Sequence, residues 1–281
     1  MTSPTTTKAS ESFLTIKIIG LLSSLLNSLP IKYQNKFFEI VLKTIPIPLL
    51  KYIPCSYSAY IKRYKPQKGD VIIDCGAHIG NCTILFSRMV GKEGLVIALE
   101  PFEDSFRILK QRTKNLKCKI LAINKGVWSE NIKIPLRVFN DKTISCRIDD
   151  NNISQNQNSK IIACTTIDSL INEIKPRHLD MIKMDIEGAE IEALKGAVNT
   201  MEKYAPRFSI ASYHNRNNQK TCFWVENFLK EKGYSVKTFF PPHLTTYGEK
   251  AGVSFMALTE ELSGLTSGSF GRNDEEGNIF K

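Results

Sequence analysis

From Lys68 onward, apolar and polar positions switch between a period of two and a period near 3.6, which predicts strands and helices in turn. Val71-Ile72-Ile73 is a β-branched run ending in Asp74; Cys75-Gly76-Ala77-His78-Ile79-Gly80-Asn81 follows, and Ile84, Leu85 and Met89 then recur at helical spacing. This reads as a buried strand, a tight loop and a helix N-terminus. Residues 95–99 form a second strand that closes on Glu100. Residues 104–114 are a helix that turns Phe106, Leu109 and Lys110 toward the sheet, and 118–123 a third strand ending at Asn124. Beyond a variable stretch, strands are expected at 179–184 and 207–212, with helices at 168–174 (Asp168 as N-cap), 190–194 and 221–232. Residues 234–239 and 253–258 read as the last two strands, an antiparallel pair.

Between the third strand and the next helix, residues 130–165 alternate short apolar stretches with a polar Asn/Gln/Ser-rich tract at 149–160. An antiparallel excursion is expected there, with the tract as a loop. It either shapes a pocket or elaborates the surface.

The first 65 residues follow another pattern. Residues 13–29 form an amphipathic helix ended by Pro30, and the apolar stretch 37–53 is interrupted by Lys43, Pro46, Pro48 and Lys51. Neither is an uninterrupted apolar span of about 20 residues, so no transmembrane helix is expected. A cleavable signal peptide fits poorly, with Glu11 before the apolar run and no small-residue cleavage site after it. Charge changes the picture further. Of a net charge of +10, +7 falls in the first 70 residues, where ten bases face three acids. Two readings stay open for residues 11–54: helices packed over the domain that follows, or an interfacial anchor on an anionic leaflet.

A chain of 281 residues suits one substantial α/β domain with appendages. Its seven cysteines include no C-x-x-C pair, so neither a zinc site nor a disulfide framework is implied, and free thiols in a reducing cytoplasm fit best.

Candidate chemistry starts at the glycine loop. Gly76 and Gly80 let the backbone turn sharply and a ligand come close. The dinucleotide fingerprint G-x-G-x-x-G does not fit, because position 78 is His. With Asp74 ready to accept hydrogen bonds from a cationic group, the loop suits a nucleoside-type ligand with an ammonium group better than a pyrophosphate. Glu100, twenty residues past Gly80, stands about where a second strand delivers a carboxylate to a ribose diol.

Asp74-Cys75-Gly76-Ala77-His78-Ile79-Gly80, Glu100-Pro101, Thr166-Ile167-Asp168-Ser169-Leu170 and Lys183-Met184-Asp185-Ile186-Glu187-Gly188-Ala189-Glu190 occur in that order. Over roughly residues 66–258 the chain resembles the FkbM-type family of S-adenosylmethionine (SAM)-dependent methyltransferases. The resemblance implies an α/β, Rossmann-like seven-stranded methyltransferase sheet, mostly parallel with the last strand antiparallel, plus an N-terminal helical extension. The expected domains are 1–65 for the extension, 66–260 for the methyltransferase and 261–281 for a flexible tail. SAM is the implied cofactor, with Asp74, Gly76, Ala77, His78, Gly80, Asn81, Glu100, Pro101 and Asn124 as candidate contacts. Gly126 shares the candidacy of Asn124 by position.

The implied reaction is O-methylation of a sugar, lipid-linked glycan or secondary metabolite. His214, at the end of the fifth strand, is the candidate base, because an imidazole titrates near neutrality. Glu187 would orient it or hold the substrate hydroxyl, and Asp185 would face the methionyl part or the substrate. His178 and His243 are expected in surface turns. Asp185, Glu187 and His214 could instead hold a divalent ion, but nothing in the spacing demands one, and no metal is assigned. Expected partners are a small-molecule or glycan acceptor, with peripheral membrane contact through 11–54 left open. Nucleic acid is not expected, since the chain lacks an Asn/Asp-Pro-Pro-aromatic motif. The rival reading is a membrane-associated SAM-binding module without catalysis.

Overall fold

A computed structural model describes residues 57–138, 146–147, 159–216, 219–240 and 243–250. The expected N-terminal helices, most of the 149–160 tract, the 253–258 strand and the tail lie outside these residues.

The strands in chain order are β1 (Val71–Cys75), β2 (Leu95–Leu99), β3 (Lys119–Ile123), β4 (Gly126–Val127), β5 (Lys133–Val138), β6 (Cys146–Arg147), β7 (Ser159–Thr165), β8 (Met181–Met184), β9 (Arg207–Ala211), β10 (Asn215–Arg216), β11 (Gln219–Lys220), β12 (Tyr234–Phe239) and β13 (Thr245–Lys250). Seven of them build one sheet in the order β12-β13-β9-β8-β1-β2-β3. Neighbours from β9 to β3 run parallel, whereas β13 is antiparallel to both β9 and β12. This is the expected Rossmann-like sheet. Its central strands are covered on both faces, which is why they read as apolar runs: Ile72, Ile73, Ile97, Ile182 and Phe208 are fully buried.

The final strand is not where the pattern put it. The partner of β12 is β13, at Thr245–Lys250, rather than 253–258. Thr245, Thr246 and Tyr247 are buried, and Gly248 leaves room for Leu229, whose Cδ1 would stand 3.0 Å from an added Cβ. Two prolines before this strand and Gly-Glu-Lys within it hide its alternation.

The excursion after β3 is antiparallel as expected: β5 pairs with β7 and β6, while β4 runs parallel to β7. The helix Ile167–Ile174 is capped by Thr166, whose Oγ1 accepts from the Ser169 amide, and not by Asp168. Asp168 instead accepts from the Asn199 and Thr200 amides, so it caps the separate helix Val198–Tyr204. On the helix Glu103–Thr113, Leu109 is buried as expected, but Lys110 is exposed, its ammonium 5.6 Å from the Phe106 ring centre. Cys75, Cys82, Cys118, Cys164 and Cys222 are free and buried. No helix among the described residues is long and apolar enough to cross a membrane.

At the sheet centre lies a buried ion pair. Lys183 on β8 extends under the glycine loop, its Nζ 2.9 Å from Asp74 Oδ1 on β1. The ammonium also donates to the Gly76 and Cys75 carbonyls at 2.9 and 3.3 Å. Three donors thus meet three acceptors. Burial works against this charge, yet Asp74, together with Cys82 and Asp185, outweighs it and holds the ammonium pKa well above its usual value. The other Asp74 oxygen accepts from Thr83 Oγ1 at 2.7 Å. Lys183→Met is expected to cost about 3–5 kcal/mol in urea unfolding, because Asp74 would be left charged and buried. A loss under about 1 kcal/mol would show that Asp74 does not depend on Lys183.

Candidate functional site

In an open parallel sheet, ligands bind beyond the carboxyl ends of the strands. Here the ends of β1, β2 and β8 open into a crevice of about 190 Å³. Gly76 (φ 74°) makes the crevice possible: a Cβ there would come within 1.9 Å of the Asp185 carbonyl oxygen. The loop after β1 therefore runs directly against the start of the loop after β8, and Asp185 N donates to Cys75 O.

The predicted cofactor residues divide into two groups. Gly76, His78, Glu100 and Pro101 line the crevice. Ala77, Gly80 and Asn81 shape the loop from behind. Ala77 packs with Ala98 and Leu109, and Gly80 (φ 88°) starts the helix Asn81–Val90 with no room for a Cβ, which would fall 2.7 Å from Leu109 Cδ1. Asn124 donates to the Glu100 and Pro101 carbonyls at 2.9 and 3.1 Å, tying the end of β3 to the loop after β2. Asp74 does not reach the crevice. It is fully buried, and the cation it was expected to meet is Lys183.

Glu100 is nearly buried at 3% exposure, and each carboxylate oxygen accepts a backbone amide, from His78 at 2.8 Å and Phe102 at 2.9 Å. These bonds aim the carboxylate and leave lone pairs for a ligand. Burial outweighs them and pushes its pKa up to about 7. His78, in a left-handed conformation (φ 52°), is pushed down to about 4 by burial and by Lys183 and Arg112, so it is neutral at pH 7.

One wall of the crevice is apolar. Phe102, Val127, Ile134, Ile162 and Cys164 line it, three of them from the excursion strands. Sequence reasoning left that excursion as either a pocket wall or a surface elaboration and assigned none of these residues to a site. Their signal was the alternation at 132–134 and 161–165. Gly126 stands on the same wall, where a Cβ would approach Cys164 Sγ at 2.9 Å.

The opposite wall carries the acids. Glu187 (φ 57°) and Gly188 (φ 102°) form a left-handed turn after β8, which keeps Asp185 and Glu187 at the same opening. Asp185 Oδ2 accepts from Tyr60 OH at 2.9 Å. His214 comes from just past β9: its Nε2 lies 3.4 Å from Glu187 Oε2 and 3.9 Å from Asp185 Oδ1. Its Nδ1 lies 2.9 Å from Glu190 Oε1. The predicted trio is thus assembled. Its titration differs from expectation, however. Burial alone would lower the His214 pKa, but Glu187 and Glu190 overcome it and raise the value to about 10. Held between these carboxylates, the imidazole keeps its proton at pH 7 and is a poor base.

Tyr60, Lys183, Glu190 and His243 were not among the predicted site residues. His243, expected in a surface turn, is half-buried beside the acids, with its ring 5.1 Å from Tyr213 and 5.6 Å from Tyr60. Burial lowers its pKa. Pro241-Pro242 suggested an exposed turn, but β13 begins two residues after His243 and draws it inward. His178 does lie at the surface, 2.7 Å from Asp180.

A model of the methyltransferase FkbM domain matches residues 74–236, more than half of the chain. No curated protein matches. Among solved structures, the chain is similar to a methyltransferase FkbM from Methylobacillus flagellatus KT, with 19% identity, coverage of 75% of this chain and 57% of that one, and a TM-score of 0.48. It thus spans little more than half the length of that protein. It is also similar to Aeropyrum pernix fibrillarin with natively bound SAM, at 12% identity, 68% and 73% coverage and a TM-score of 0.45. A SAM-dependent O-methyltransferase from Thermotoga maritima gives 14% identity, 70% and 65% coverage and a TM-score of 0.42.

The Glu100 environment predicts a pH dependence. A carboxyl whose folded pKa is raised to about 7 binds more protons folded than unfolded. Its contribution to stability is full below its unfolded pKa of about 4.3 and is lost as pH rises through 7, with a slope of at most about 1.4 kcal/mol per pH unit. Urea unfolding of Glu100→Gln between pH 5 and 8 should show a flatter profile than the parent protein. Identical slopes would mean that Glu100 is ionised throughout.

Proposed function

The chain belongs to the FkbM methyltransferase family, whose methyl donor is SAM, and from that premise we propose that it methylates a hydroxyl oxygen on a sugar, lipid-linked glycan or secondary metabolite. The catalytic unit in this reading is residues 66–260, with 1–65 and 261–281 as appendages.

The observation that carries the reading is the Glu100 carboxylate, held by two amides at the tip of β2 and facing the crevice beside Gly76. Two hydroxyls of a ribose suit one two-oxygen acceptor. The apolar wall around Phe102, Ile134 and Ile162 suits the adenine ring. Across the gap, the Asp185–Glu187 turn takes the methionyl end and leaves the methyl group facing the acids. SAM carries a sulfonium, and a wall bearing carboxylates favours it over the neutral product S-adenosylhomocysteine.

Transfer is a direct displacement: the acceptor oxygen bonds to the methyl carbon as the carbon–sulfur bond breaks. Alignment of the two supplies roughly 7–11 kcal/mol of the barrier. The hydroxyl must lose its proton. Glu187, about one-third exposed at the crevice, is placed to take it. His214, buried behind the two acids, positions them. The three acids at the crevice also argue against nucleic acid as acceptor, since they repel a phosphate backbone.

Isothermal titration of SAM into the full chain tests this. Glu100→Ala should weaken binding at least about tenfold, in line with the loss of hydrogen bonds to a charged group. Glu187→Gln should keep SAM affinity and lower turnover by about 10²–10⁴-fold. The acceptor for that assay would be identified by incubating glycan and lipid fractions with methyl-labelled SAM. Unchanged SAM affinity in Glu100→Ala would overturn the cofactor assignment.

A further inference from the structure

We propose that Asp185, Glu187 and His214 form a divalent-cation site of the Mg²⁺/Mn²⁺ class, which would bind the acceptor through adjacent hydroxyls. This rests on the methyltransferase reading for its purpose but not for its geometry.

One ligand atom from each residue lies within 4.8 Å of the others. The separations from His214 Nε2 are 3.4 Å to Glu187 and 3.9 Å to Asp185. Ligand atoms about 2.0–2.2 Å from one ion stand roughly 3 Å apart at right angles and roughly 4 Å apart across it. The three atoms therefore need little movement to share an ion.

The buried polar atoms point the same way. The His214 side chain is 9% exposed, and its Nε2 has only the 3.4 Å approach of Glu187 Oε2, which does not make a well-formed hydrogen bond. Asp185 Oδ1, also buried and without a hydrogen bond, is the oxygen nearer to it. The other Asp185 oxygen is held by Tyr60, which turns Oδ1 toward His214.

Behind His214 lies a fully buried carboxylate, Glu190, with Oε1 2.9 Å from Nδ1 and accepting from the Gly188 amide at 3.1 Å. An acid on the far nitrogen holds the Nδ1 proton, so an ion that displaces the Nε2 proton meets a lone pair already aimed at it, the arrangement that supports metal-bound histidines. Charge is consistent too. Asp185, Glu187 and Glu190 converge on a single imidazole, while the nearby Lys183 is already paired with Asp74.

Two carboxylates and one imidazole are mostly hard ligands, which suits Mg²⁺ or Mn²⁺. Three ligands from the protein leave positions for acceptor oxygens. A vicinal diol, as on a sugar, would fill two of them. Coordination lowers the pKa of the bound hydroxyl. Its proton would leave to solvent water, the oxygen would bond to the methyl carbon of SAM, and the carbon–sulfur bond would break to release S-adenosylhomocysteine. Asp185 and Glu187 would then act as ligands, with the ion replacing Glu187 in activating the hydroxyl.

The test is direct binding of MnCl₂ to chelator-treated full-length protein, followed by electron paramagnetic resonance. One site per chain is expected. His214→Ala and Asp185→Asn should each weaken it at least tenfold, and Glu190→Gln should weaken it by about 10–100-fold through loss of the histidine's support. Circular dichroism and thermal unfolding check that each variant is folded. Asp185→Asn changes a partly exposed side chain, so it remains usable if His214→Ala does not fold. Absence of Mn²⁺ binding at millimolar concentration, or binding indifferent to Asp185→Asn, would overturn the proposal. SAM binding to the metal-free protein separates the two ideas: retained SAM affinity without Mn²⁺ binding removes the ion alone, whereas loss of SAM affinity with Mn²⁺ still bound removes the cofactor assignment.

Discussion

A single buried ammonium holds the site together. Lys183 reaches from β8 to Asp74 on β1 and to the Cys75 and Gly76 carbonyls of the following loop. The two strands are already hydrogen-bonded neighbours, so the ion pair adds direction. It sets where the loop leaves the sheet, and thus how Gly76 crosses the backbone of Asp185. A charge pair in a dry core does not guarantee stability, because desolvating both ions is costly. Its value here is positional. Asp185, Ile186, Glu187 and Ala189, which line the acid side of the crevice, follow two to six residues after Lys183.

From that anchor the acids fall into distinct roles set by their surroundings. Asp74 is neutralised inside the sheet. Glu100 is held by two amides and looks outward. Asp185 and Glu187 stand at the opening, and Glu190 is buried behind His214. Five carboxylates lie close together around Lys183 and His214, and Lys125 adds a further cation at the crevice, fewer positive charges than negative ones. Such a surface favours a cationic ligand, and the sulfonium of SAM is one.

Most of this framework was legible in the sequence. The apolar runs of β1, β2 and β8 mark strands buried on both faces, and acids or glycines directly after them mark a ligand edge. The same logic brings Asp185, Glu187 and His214 to one sheet edge from the sequence alone. What failed depended on tertiary partners. Asp74 looked available to a ligand because its cation is 109 residues away, on another strand. Asp168 looked like a cap for its own helix, yet Thr166 does that and Asp168 serves the helix Val198–Tyr204. His214 looked poised near neutrality because sequence spacing does not reveal two acids in contact with it. His243 and β13 were hidden by prolines and a glycine, which normally signal a turn.

The central claim is that the ligand lies across the glycine loop between Glu100 and the Asp185–Glu187 turn. A crystal structure of the full chain with S-adenosylhomocysteine tests it most directly. The account predicts both ribose hydroxyls within hydrogen-bond distance of Glu100, the adenine against Phe102 and Ile162, and the sulfur facing Asp185 and Glu187. A nucleoside bound elsewhere, or a ribose that leaves Glu100 untouched, would contradict it.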